Sequence, residues 1–186
     1  WSWEDDPLAL GARLITLGSD REVALKFLIH APLSHPGGPI AGSTHHFEAS
    51  VMDQFGIKDN WDFRLETGRQ RSIQIISGGG SISMPPNSIA VLDIELRNTG
   101  NSVDDIRAEL FSNNDGVEQI GSLISIDGWG VILLDDSLAA GVDPWSTGRI
   151  RMQISTPSDS TGSLDFGIRA GPAGLPHQDF SFTSIV

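Results

Sequence analysis

Short runs in which apolar and polar residues alternate recur along the 186-residue chain, separated by clusters of Gly, Pro, Asn, Asp and Ser. Residues 89–97 set Val91 or Leu92, Ile94 and Leu96 on one face and Asp93, Glu95 and Arg97 on the other. Residues 149–154 bring Ile150, Met152 and Ile154 together, and residues 24–29 do the same for Leu25, Phe27 and Ile29. Such a period of two is strand geometry, because successive side chains leave a strand on opposite faces. With turn-forming residues every 8–12 positions or so, the expected architecture is all-β, an antiparallel sandwich or barrel. Each strand then gives one face to the core and one to water. A short helix fits residues 102–111 by composition, but the Asn98-Thr99-Gly100-Asn101 corner before them favours a turn into a strand. Gly and Asn are the residues that enter left-handed backbone most readily, so the corner is expected to visit positive φ.

The pattern repeats. Residues 23–32 match 148–157, and before them an acidic pair, a Leu-Ala and a Gly recur in the same order (Asp5-Asp6, Leu8-Ala9 and Gly11 with Asp135-Asp136, Leu138-Ala139 and Gly141). Downstream, Phe47 aligns with Phe166, Trp61 with Phe180 and Phe63 with Phe182, which marks Trp61 as a core residue. The expected organisation is a tandem repeat with the first copy truncated: residues 1–71 as the C-terminal half of one module, residues 72–186 as a complete one. Gly78-Gly79-Gly80 is the expected flexible join.

Composition narrows the class. The formal net charge is −12, which argues against nucleic-acid binding, where a basic face is needed to displace counterions. Asp outnumbers Glu more than two to one, as a turn-rich β protein would show, since Asp caps its own backbone in turns. The chain has no cysteine, so disulfides, thiolate metal sites and cysteine nucleophiles are excluded together. No apolar run approaches the roughly 18–20 residues of a membrane-spanning helix. The chain opens on Trp1, and is read as a fragment or a processed chain.

Several features gather in residues 81–157: the Pro85-Pro86-Asn87-Ser88 turn, the Asn98–Asn101 corner, the Gly128-Trp129 pair, a turn at Asp143-Pro144 and Pro157 after the next strand. Together they resemble the Ig-like sandwich modules repeated in prokaryotic surface and secreted proteins, of the cell-adhesion-related (CARDB-like) and alpha-galactosidase-associated Ig-like type. The resemblance implies an extracellular or cell-surface setting. It also implies a structural, spacer or adhesion role, with other domains of the same polypeptide or surface proteins as partners.

Candidate chemistry is sparse. Asn113, Asn114, Asp115 and Glu118 are hard oxygen ligands in a Gly-containing loop, the kind calcium prefers, although a plain Asn-Asp-Gly hairpin turn explains the same letters. Adjacent His45 and His46 point to opposite faces of a strand and cannot grip one ion together. The acidic pairs Asp5-Asp6, Asp104-Asp105 and Asp135-Asp136 read as solvated turns, since neighbouring carboxylates cannot face each other across a cleft. Trp145, in an Asp-Pro-Trp-Ser turn, is the exposed aromatic expected to contact a glycan, whereas Trp129 begins an apolar run and reads as core. No catalytic elbow, phosphate loop or metalloprotease motif is present. The function that the resemblance implies is non-catalytic and structural; the alternative, argued from Trp145 and the fold, is a carbohydrate-binding accessory module of a secreted hydrolase.

Overall fold

A computed structural model describes residues 2–3, 22, 24, 26–28, 35–53, 55–77, 79–114, 117–159 and 162–186. The chain divides into two compact units, Trp1–Leu33 and Ser34–Val186. The boundary expected after residue 71 lies inside the second unit. In the first unit, β1 (Ser2–Trp3) pairs antiparallel with β2 (Phe27–Leu28). The faces assigned to Leu25, Phe27 and Ile29 lie outside the described side chains.

The second unit begins with an antiparallel ribbon, β3 (Thr44–Asp53) and β4 (Gly56–Glu66). A sandwich follows. Its strands are β5 (Ile73–Ile75), β6 (Gly80–Ile82), β7 (Ile89–Asn98), β8 (Asp104–Asn114), β9 (Val117–Gly121), β10 (Leu123–Ile126) and β11 (Trp129–Leu133). After a short 3-10 turn at Asp135–Ser137 come β12 (Leu138–Val142), β13 (Thr147–Ser155), β14 (Leu164–Pro172) and β15 (Asp179–Ile185). One sheet has the order β10-β11-β13-β7-β5 and the other β12-β8-β14-β15-β6, with β9 also on β8. Assigning β5, β7, β8, β11, β13, β14 and β15 the Ig letters A to G puts A, B, E and D in one sheet and C, F and G in the other. That division defines the Ig-like sandwich. The short β6 pairs parallel with β15; the other pairings are antiparallel.

The alternation read from the sequence is what fills the space between the sheets. Ile94 and Leu96 of β7 and Ile150, Met152 and Ile154 of β13 meet Ile106 and Leu110 of β8, Leu164, Phe166 and Ile168 of β14 and Ile185 of β15. Leu92 packs against this core while Val91 is exposed, which resolves the phase of β7. Trp129 is buried, as expected. Residues 104–114 form a strand rather than a helix. The turns at residues 85–88 and 143–146 close with Ser88 Oγ donating to the Pro85 carbonyl at 2.5 Å and Ser146 N–H donating to the Asp143 carbonyl at 3.0 Å.

The Asn98–Asn101 corner has another cause than the expected one. Positive φ occurs at Asn87 and Trp145, among others, but not at residues 98–101. Gly100 is required for approach: a Cβ there would lie 2.5 Å from the Gln70 carbonyl oxygen and 3.1 Å from the Ser72 nitrogen. The corner is a docking point for the chain that precedes the sandwich.

Candidate functional site

That docking point is the most heavily bonded part of the described structure. The Asn98 side chain is fully buried. Its Nδ2 donates to the carbonyls of Ser102 and Val142, both at 2.8 Å, while its Oδ1 accepts from Gly100 N–H at 2.9 Å. Asn101 grips the chain on both sides of Arg69. Its Oδ1 accepts from Gln70 N–H at 2.7 Å and its Nδ2 donates to the Gly68 carbonyl at 2.9 Å. Its own N–H donates to the Gln70 carbonyl, and Ala41 N–H donates to the Asn101 carbonyl at 2.9 Å. Thr99 holds Ser72 through both backbone and hydroxyl. Buried polar groups carry a large penalty when unpaired, so this degree of satisfaction makes the joint stiff as well as stable.

Asp104 completes it. The carboxylate is 4% exposed and accepts two bonds from Arg71, Nε at 2.6 Å and Nη2 at 2.5 Å. Arg71 Nη2 also reaches the Ala173 carbonyl, and Arg69 spans Ser102 and Val103 while approaching Asp104 at 3.5 Å. Hydrogen bonding to Asp104 raises the Arg71 pKa further, so the guanidinium stays charged. The solvated-turn reading is thereby corrected for Asp104, an inward carboxylate on β8; Asp105 is exposed, and its Oδ1 accepts from Gly141 N–H at 2.7 Å. No local motif announces the pair, because its partners stand 33 residues apart.

The calcium candidates lie together on one hairpin, apart from Trp145 and the histidines. Asn113 lies opposite Glu118, and Asn114 opposite Val117, across the β8–β9 hairpin. The two residues between, Asp115 and Gly116, lie outside the described residues. Asp-Gly is a favoured two-residue hairpin loop. Among the described residues no group of three His, Asp or Glu side chains is placed to hold a metal ion. Trp145 is half-buried rather than exposed, in left-handed backbone (φ 61°), and its N–H donates to the Asn98 carbonyl at 2.7 Å. It therefore sits at the edge of the joint. His45 and His46 occupy successive positions of β3, so they face opposite ways; His45 Nε2 lies 3.0 Å from Thr67 Oγ1. His30 and Asp5-Asp6 lie outside the described residues.

The exposed aromatic surface is elsewhere. On the outer face of the second sheet, Ile120, Phe111, Gly167 and Phe182 form a row across β9, β8, β14 and β15. Phe111 meets Phe182 edge-on at 5.4 Å and Phe180 at 6.3 Å. Gly167 is needed beneath, since a methyl there would overlap the Phe111 ring. Phe180 and Phe182 are 57% and 70% exposed, so the equation of Trp61 with a buried Phe180 is corrected. Below the patch Arg169 binds Glu109 at 2.7 Å, and His177 Nε2 stands 3.5 Å from the same carboxylate. Burial lowers the His177 pKa, opposed by Glu109 and reinforced by Arg169.

No family model matches the chain, and no curated protein matches it. Among solved structures it is similar to the ASH / PapD-like domain of human CEP192 (PapD-like domain 7). The identity is 14% and the TM-score 0.34, over 61% of this chain and 82% of that one.

Proposed function

We propose that this chain is a non-catalytic structural module, a spacer or adhesion unit of a larger secreted or cell-surface prokaryotic protein of the CARDB-like or alpha-galactosidase-associated Ig-like type. The observation that carries the reading is the joint around Asn98, Asn101 and Asp104. It clamps residues 68–72, the connection between the β3–β4 ribbon and the sandwich, through Asn101 on the Gly68 and Gln70 backbone and Asp104 on the Arg71 side chain. A connection held in this way fixes direction, which is what a spacer has to do. Neighbouring domains of the same polypeptide or other surface proteins are its partners in this reading.

The absence of cysteine makes the test clean. Spin labels at Ser50→Cys on the ribbon and Ser158→Cys on the sandwich should give one narrow distance distribution. It should broaden when Asn101→Ala and Asp104→Ala are combined. A broad distribution in the otherwise unaltered chain would remove the basis for a spacer role.

A second reading, a carbohydrate-binding accessory module, is favoured by the Phe111, Phe180 and Phe182 surface, since exposed rings stack on sugar faces. Binding on a glycan array that is lost with Phe182→Ala or Trp145→Ala would select it. Silence across the array leaves the structural reading.

A further inference from the structure

Two pairings within the first 66 residues reproduce two pairings of the complete sandwich. Counted back from the acidic pairs without a gap, Ser2 and Trp3 correspond to Ile132 and Leu133; by the match of residues 23–32, Phe27 and Leu28 correspond to Met152 and Gln153. Trp3 pairs with Phe27 and Ser2 with Leu28; Leu133 pairs with Met152 and Ile132 with Gln153. The register is the same. The ribbon likewise corresponds to the β14–β15 hairpin. With Phe47 on Phe166, the cross-strand partner Phe63 falls on Thr183, Trp61 on Ser181 and Leu65 on Ile185. This is one residue away from the Phe-for-Phe alignment, and a one-residue slip exchanges the two faces of a strand.

The corrected register shows what the ribbon is built for. One face carries His45, Phe47, Ala49, Val51, Asp59, Trp61, Phe63 and Leu65 and is mainly apolar; the other carries Thr44, His46, Glu48, Ser50, Asn60, Asp62, Arg64 and Glu66. The apolar face corresponds to the face of β14–β15 that holds Leu164, Phe166, Ile168, Thr183 and Ile185, all buried. Yet Val51, Trp61 and Leu65 are 44%, 45% and 39% exposed. In the sandwich, β8 lies on the outer edge of β14, and the β7–β13 sheet covers the inner face. Among the described residues the corresponding edge of β3 carries no strand.

We propose that the β3–β4 ribbon is an acceptor surface for a two-stranded β segment of the β7–β8 kind. One incoming strand adds antiparallel to the edge of β3, and the strand before it crosses to cover the apolar face. Leu110 and Ala108 lie opposite Ile168 and Ala170 in the sandwich, so the incoming aliphatic positions fall opposite Ala49 and Val51. Backbone pairing supplies the attachment, and alternate side chains supply the selectivity. The proposal rests on residues 44–66 being a copy of the β14–β15 hairpin; it does not depend on the spacer role, which the spin-label distances test separately.

The test appends a copy of residues 86–114 to the N-terminus of the full chain through a flexible Gly/Ser linker and follows amide hydrogen exchange. The tether raises the effective concentration of the segment. Exchange in residues 44–53 should slow about tenfold or more, as expected where edge and face become covered. The same fusion carrying Ile94→Ser, Leu96→Ser, Ile106→Ser and Leu110→Ser in the copy should leave them unchanged. Amides of β14 and β15 report that the sandwich is intact in both; a fusion that disturbs them is replaced by one appended after Val186. Equal exchange in the two fusions overturns the proposal. So does a ribbon that, in the unfused chain, already exchanges as slowly as β14 and β15.

Discussion

The β3–β4 ribbon and the β14–β15 hairpin are two antiparallel pairs in one chain with the same face pattern and different fates. In β14–β15 the apolar face is sealed, with Phe166 2% exposed and Ile168 fully buried. In the ribbon the matching positions are half-buried or exposed. Backbone pairing is present in both, so the ladder alone does not set the difference. Burial of a sheet face needs a second layer about 10 Å away, and an isolated two-stranded sheet is marginal in water without one. Alternation therefore states which face is to be covered, not whether it is.

Equivalent substitutions in the two hairpins test this most strongly. Phe166→Ala should lower stability by about 3–5 kcal/mol in urea denaturation, the cost of emptying a packed site. Phe47→Ala should cost less than about 1 kcal/mol, because its face is not sealed. Equal costs would break the comparison. Next in size is Asp104→Ala, which strands the Arg71 guanidinium in the joint and should cost about 2–4 kcal/mol. If the joint rather than the core holds the ribbon in place, this variant should also speed exchange at Ala41. Gly100→Ala drives a methyl into the Gln70 carbonyl and should cost about 1–3 kcal/mol, with broadened spin-label distances.

Smaller effects belong to the outer face of the second sheet. Burial holds the folded His177 pKa below 6.5, so the unfolded chain binds that proton more readily. The stability contribution of neutral His177 is full above pH 6.5 and is lost as pH falls toward the lowered folded value. His177→Gln should flatten that slope in melts recorded across the window. Smallest of all, millimolar calcium should leave the melting midpoint unmoved if the β8–β9 hairpin is only a turn; an upward shift would support a site at Asn113, Asn114, Asp115 and Glu118.

Much of the fold was legible because its signals are local. The faces of β7 and β13 followed from period-two alternation, and the turns at residues 85–88 and 143–146 from Pro and Asn chemistry. The site was less legible. Arg71 and Asp104 meet across 33 residues with nothing in either neighbourhood to couple them. Trp145 reads as exposed because a turn carries it, yet its backbone is pinned to Asn98. The aromatic patch was hidden because Phe180 and Phe182 alternate just as core residues would. Only the pairing of Ile185 with buried Leu164 shows that the inward phase of β15 is the other one.

By itself the sequence determined the all-β class and the inward faces of β7 and β13, since these depend on neighbours within a few residues. The tertiary structure decided which Asp is buried, why Gly100 must be glycine and which aromatic rings meet water. Those outcomes depend on what lies across the gap between sheets, and alternation along one strand carries no information about the strand that will face it.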